Sequence, residues 1–228
     1  MMSFQASMST TVASSLTPAG KEVSPDVVSR LINLAGRQRM LSQRLVLFAM
    51  LAKEQRANAL STARDTWKLM RDSHQLLVTG GDGLPGIFST QLEDVFHGQH
   101  AAHNKVQSFI SLADRVLLAL GSSVQRDADK DLSSLVDAAT EILAILNIVT
   151  QSYEREARDL AQVLKEQRVR LIEDIQAVSR EAKVVAFNAQ VAAHRAGQAG
   201  REFAVVAARM SSITDEVDAL AREALRAR

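Results

Sequence analysis

Cysteine is absent from the 228 residues, which excludes a disulfide framework, a thiolate nucleophile and any cysteine-bound zinc or iron–sulfur centre. Aromatic residues make up only 4%, with 10 glycines and 3 prolines, so the residues that enrich strands and punctuate short loops are scarce. Neither charge sign dominates. Against 27 Lys and Arg stand 26 Asp and Glu, a net charge of +1, and that balance gives no reason to expect a nucleic acid or an acidic membrane surface as partner. Long apolar runs are missing too. The longest, residues 45–52, is bounded by Arg44 and Lys53 and falls far short of the about 20 residues that a membrane span requires. Residues 1–25 are rich in Ser and Thr but lack the apolar centre of a signal peptide. These absences lead to the expectation of a cytoplasmic chain without a membrane span, whose residues 1–24 form a disordered leader.

What is present favours helices. Apolar residues make up 46% and charged residues 23%, enough to bury a core, and Ala, Leu, Val, Gln, Glu and Arg recur throughout. Ser24-Pro25-Asp26 reads as a helix start, with Ser as cap, Pro at the first position and an acid in the first turn. Leu34, Leu41, Leu45 and Phe48 then follow helical spacing. A second helix is predicted over about 56–78, with Leu60, Trp67, Leu69, Met70 and Leu77 inward, and residues 80–86 (Gly-Gly-Asp-Gly-Leu-Pro-Gly) form a loop. A third helix is predicted over about 89–120, ended by Gly121-Ser122-Ser123. No Gly or Pro lies between Ser122 and Gly197, which permits one helix of about 70 residues, on the order of 100 Å long. Its early part, with Leu135, Ile142, Ile145, Leu146 and Val149, is wide enough to close a four-helix bundle. Its later part carries Leu164, Leu171, Ile175, Val178, Ala182, Val185 and Ala189 in three-four alternation. After a turn near Gly197–Gly200 the pattern repeats as Phe203, Val206, Met210, Ile213, Val217, Leu220 and Ala224. The expected fold is therefore all-α: a four-helix bundle over residues 25–155 whose long last helix extends into an antiparallel coiled-coil hairpin over residues 156–228.

The segment with the most distinctive chemistry is residues 31–44. Arg37, Arg39 and Arg44 surround a mid-helix glycine, Gly36, and no acid occurs between Asp26 and Glu54. Glycine there costs about 1 kcal/mol against alanine, and close approach of a second helix is one physical reason to keep it. Two such helices at a dimer axis would bring two Arg39 guanidinium groups together, repelling by roughly 4 kcal/mol at an effective dielectric of 20. A small planar anion between them converts that repulsion into forked, charge-assisted contacts. The same arginines also fit a solvated basic face.

Residues 33–44, Asn-Leu-Ala-Gly-Arg-Gln-Arg-Met-Leu-Ser-Gln-Arg, closely resemble the P-box of PilJ-type and NarX/NarQ-type sensor domains. The resemblance implies a homodimer that binds nitrate or nitrite between paired first helices. It places Arg39 as the residue gripping the anion, Gly36 and Ala35 at the close-packed step before it, and Met40 on the apolar wall. Typical members lie between two membrane helices and sample the periplasm. Without spans, this chain would sample the anion inside the cell.

A second resemblance lies in residues 187–207, which are similar to the hairpin tip of bacterial chemoreceptors through Asn188, Arg195-Ala196-Gly197, Gly200-Arg201 and Phe203-Ala-Val-Val-Ala. In that family the tip contacts a histidine kinase and its coupling adaptor, so the resemblance implies a signalling protein partner there. The copy departs from the family at Ala192, His194, Gln198 and Glu202, and its return arm is shorter than the usual methylation helices.

His97, His100 and His103 recur every three residues, a spacing that brings neighbouring pairs within reach of one metal ion. Only Glu93 and Asp94 are near enough to support them, and the expected role is a solvated helix face. His74 and His194 read as isolated. No catalytic triad, phosphate-binding loop or zinc-protease motif is present, so neither an enzyme nor a cofactor is expected. The combined expectation is a cytoplasmic nitrate or nitrite sensor relaying through its hairpin. The alternative is a chemotaxis signalling or adaptor protein that binds receptor-kinase arrays without sensing an anion.

Overall fold

A computed structural model describes residues 23–122 and 128–226. The expected leader lies outside the described residues apart from its last two. Helix α1 spans Pro25–Lys53, and Ser24 caps it: the Val27 N–H donates to the Ser24 Oγ at 3.4 Å. Two left-handed residues, Gln55 and Asn58, turn the chain into α2, Ala59–Thr79. The glycines at 80–86 do what their conformations require. Gly80 and Gly86 have φ of 80° and 77°, and a Cβ on either would lie 2.8 Å from a backbone atom of the other. Gly81 and Leu84 exchange backbone hydrogen bonds at 3.0 and 2.9 Å, and the Arg30 Nη2 of α1 donates to the Asp82 carbonyl at 3.0 Å.

The third helix departs from expectation. Two helices, α3 (Thr90–His97) and α4 (Ala102–Gly121), replace the single one expected over 89–120. At Gly98 the backbone leaves the helical region with ψ −133°, a conformation in which a Cβ would meet the Asp94 carbonyl oxygen at 2.7 Å, and Ala101 is left-handed with φ 46°, so the chain turns between them. Helix α5 then runs unbroken over Ala128–Arg195, and a short 3₁₀ turn, Gly197–Gly200, leads into α6, Arg201–Arg226.

The expected four-helix bundle with a coiled-coil hairpin is thus corrected to an all-α fold with six α-helices among the described residues. The coiled-coil seam also fails. On α5, Leu164, Leu171, Ile175, Val178 and Val185 are exposed, as are Phe203, Val206, Met210, Ile213 and Leu220 on α6. The buried line falls one position later: Ile172, Ser179, Ala186 and Ala193 on α5, with Gly200, Ala207, Thr214 and Ala221 on the turn and α6. These are mostly small residues, and small residues let two helix backbones approach where large knobs hold them apart. The Ser179 Oγ donates to the Thr214 carbonyl at 3.0 Å, and a Cβ on Gly200 would lie 2.9 Å from the Ala193 Cα.

The chain divides into two compact units, residues 1–158 and 159–228. In the first, Leu41, Leu45 and Ala49 of α1 pack with Met70 of α2, Phe109 and Leu117 of α4, and Leu135, Ile142 and Leu146 of α5. Trp67 ties α2 to α4 by donating its indole N–H to the Ile110 carbonyl at 2.9 Å. Leu69, expected inward, is 53% exposed. A second cluster gathers the scarce aromatics. Tyr153, fully buried, lies 6.4 Å from both Phe88 and Phe96 by ring centroids, and its hydroxyl donates to the Leu77 carbonyl at 3.3 Å.

The expectation that no segment could span a membrane needs amending. Helix α5 contains an 18-residue stretch of mean hydropathy 1.6, apolar enough to cross by length and composition, and 33% of that stretch is buried within the protein. Counting uninterrupted runs missed it because scattered polar and charged residues break the run.

Candidate functional site

The P-box-like helix segment presents two faces. Ala35, Gln38, Leu41, Ser42 and Leu45 are buried, whereas Arg37, Arg39, Met40, Gln43 and Arg44 are exposed and Gly36 is half-buried. Below them on the open side come Leu47 and Met50, 53% and 46% exposed, so the basic segment continues into an apolar one. Arg39 reaches across to α5, where its Nη1 donates to the Asn147 Oδ1 at 3.0 Å. Gln43, one turn on, donates to the Ala139 carbonyl of α5 at 3.4 Å. The Arg44 guanidinium sits 5.4 Å over the Phe48 ring. Among the described residues no carboxylate lies within 4.0 Å of Arg37, Arg39 or Arg44.

Of the four residues expected to line the anion site, Arg39, Gly36 and Met40 reach the surface, and Ala35 is wholly buried. Within one chain Gly36 is not forced by contact: the nearest atom to an added Cβ is the Arg39 Nη2 at 3.8 Å, an ordinary separation. Asn147 is the partner that the sequence reading missed. It lies 108 residues from Arg39, and no local pattern marks it.

Buried beneath this face is Gln38. Its Nε2 donates to the Met70 carbonyl at 3.0 Å and to the Ser73 Oγ at 2.6 Å, tying α1 to α2. Its Oε1 has no hydrogen-bond partner among the described residues.

The second candidate region belongs to the other unit. Asn188, Arg195, Arg201 and Phe203 are exposed around the turn, with Phe187 and Phe203 showing 64% and 56% of their surface. Gly197 adopts φ 59° with nothing within 4 Å of an added Cβ, whereas Gly200 is buried against the Ala193 backbone. Gly197 therefore serves the turn and Gly200 the contact between helices.

The histidines fall differently from expectation. The break at Gly98 leaves His97 at the end of α3, His100 in the connection and His103 on α4. His74 is not isolated: its Nε2 lies 3.1 Å from the His103 Nδ1, and the His97 ring is 5.2 Å from that of His103. Among the described residues no group of three His, Asp or Glu side chains is arranged to hold a metal ion.

Residues 26–101 match the family model of PilJ, the type IV pili methyl-accepting chemotaxis transducer N-terminal domain. Residues 26–101 are thus similar to that domain. The match covers α1, α2, the glycine loop and α3, including Gly36, Arg39 and Met40, and ends before α4. It covers about a third of the chain, reaches neither Asn147 nor the α5–α6 turn, and carries no nitrate or nitrite specificity of the NarX type. No curated protein matches the chain, and no solved structure does.

Proposed function

We propose that this chain is a chemotaxis-type signalling or adaptor protein, without enzymatic activity of its own, that engages a receptor-kinase array through the α5–α6 turn. The PilJ match over residues 26–101 carries this reading, because it links the N-terminal helices to chemotaxis transducers. The turn supports it. Phe187 and Phe203 are exposed aromatics on the two sides of the turn that carries the exposed cations Arg195 and Arg201, residue types enriched where proteins bind one another. The test is capture of a purified chemotaxis kinase–adaptor complex by the full chain, with and without nitrate. Retention in both conditions, lost on Phe203→Ala, is the expected result. Failure to retain the complex, or equal retention by Phe203→Ala, rejects the reading.

A second reading keeps the anion. It rests on Arg39, which is exposed, has no carboxylate within 4.0 Å among the described residues, and is oriented by the neutral amide of Asn147. An amide fixes the guanidinium without neutralising it, leaving Nη2 and Nε to fork onto nitrate or nitrite. In a homodimer two such groups would share one anion. Calorimetric titration with nitrate and nitrite separates the readings: the anion reading requires heat that disappears in Arg39→Ala. Both readings take the chain to act in the cytoplasm.

A further inference from the structure

Three imidazoles meet where α2, α3 and α4 converge. His74 of α2 is 2% exposed, and its ring lies beside that of His103 with centroids 5.2 Å apart and planes 16° from parallel. The His74 Nε2 and His103 Nδ1 are 3.1 Å apart, a hydrogen bond in which one nitrogen donates and the other accepts. His97, at the last position of α3, lies against His103, and Phe96 beside it lies 6.2 Å from the His74 ring. Three successive helices thus meet at one small imidazole cluster.

Other charged groups nearby are engaged elsewhere or do not reach the cluster. On α2, Arg71 pairs with Asp72 at 2.8 Å; on α4, Lys105 pairs with Glu141 of α5 at 3.4 Å. Of the acids on α3, Glu93 and Asp94 are both exposed and neither reaches a histidine within 4.0 Å. On α5, Tyr153 donates to the Leu77 carbonyl, and Glu156 accepts from Ser89. On α1, Gln38 contributes a neutral amide one residue from His74, at Ser73. No anion offsets a charge on the cluster among the described residues.

We propose that His74 and His103 form a proton-operated latch, which holds α4, and through the His97–His103 contact α3, against α2 while at least one of the two rings is neutral, and releases α3 when both are charged. One proton on the pair is compatible with the contact, since a charged ring donates to a neutral one. With both rings charged, two N–H donors face each other across 3.1 Å with no acceptor between them, and the contact opens. Helix α3 is the element built to move. It has eight residues, is flanked by the glycine loop and by the Gly98–Ala101 turn, and is seated by Leu92, Val95 and Phe96. Burial first, then the charges of His103 and His97, lower the His74 pKa from 6.5 to about 4. The closed state is therefore fully favoured above pH 6.5, and its advantage is lost as pH falls towards 4. Burial, then His97, lowers His103 as well.

Hydrogen-exchange protection factors of the full chain, measured between pH 7.5 and 4.5, test this. Residues 87–98 are expected to lose at least tenfold in protection across that range, while the core of α1 keeps its own. His74→Phe, which retains a ring that takes no proton, is expected to flatten the profile. His103→Gln, at a half-buried position, is expected to flatten it too and serves should His74→Phe fail to fold. A profile of α3 that is flat in the native chain, or equally steep in the native chain and the folded variants, overturns the latch.

Discussion

Gly36 occupies the middle of a long helix with room for a methyl group, since the nearest atom to an added Cβ is 3.8 Å away. Gly36→Ala is therefore expected to stabilise the isolated chain by about 1 kcal/mol, the difference in helix propensity, seen as a higher urea midpoint. If two copies close on this residue around an anion, the same substitution weakens nitrate binding, so the two measurements together say which role the glycine serves. Gln38, two positions on, behaves oppositely. It is fully buried and its amide joins Met70 and Ser73 of α2. Gln38→Ala removes both bonds and leaves a hole, and a loss on the order of 2 kcal/mol is expected in the same urea experiment. The sequence made the arginines and Gly36 conspicuous because they break local rules of charge and propensity. It left Gln38 unremarked, since a glutamine on a helix reads as solvated until the partner helix is known.

At the scale of elements, the Ser24-Pro25 cap gave the start of α1 and the lack of Gly and Pro gave the uninterrupted α5, whereas periodicity failed where side-chain size mattered more than hydrophobicity. Leu171, Val178 and Val185 follow a heptad as faithfully as Ile172, Ser179 and Ala186 do, and so do Val206, Ile213 and Leu220 beside Ala207, Thr214 and Ala221. Hydrophobicity selects the first set; close backbone approach selects the second, and the buried residues are the second. Gly200 was the available clue, because a glycine beside a turn also sits where backbones meet. Gly200→Ala would drive its Cβ into the Ala193 backbone, within 2.9 Å of the Cα. Overpacking of this kind costs about 1–3 kcal/mol, and lower hydrogen-exchange protection across α6 is the expected signature. Gly197→Ala meets no atom within 4 Å but must hold φ 59°, so about 1 kcal/mol of strain, smaller than at Gly200, is expected there. Gly98 was passed over because one glycine inside a periodic pattern looks tolerable. Its backbone leaves the helical region there, with ψ −133°, and that break brings His97 to His103.

Across the whole molecule the two units differ in what they bury. Residues 1–158 enclose Leu, Ile, Phe and Met side chains together with Tyr153, whose phenol pKa is raised by burial and then by Glu156. The buried residues of 159–228 are Ile172 and a line of Ala, Ser, Thr and Gly, supplemented by exposed polar contacts such as Arg168 to the Ala224 carbonyl at 3.2 Å. Burying a large aliphatic side chain contributes about 1.5–3 kcal/mol and an alanine methyl much less, so the second unit has far less apolar burial to offset its chain entropy. Helix α6 is accordingly expected to exchange amide hydrogens at lower urea than α1, with residues 159–195 of α5 following α6 and the earlier part of α5 following α1. The continuity of α5 does not prevent this, because a helix without packing partners is marginal in water and frays back to the first buried turn. Coincident transitions for α1 and α6 at every urea concentration would mean that apolar burial does not set the order of unfolding here.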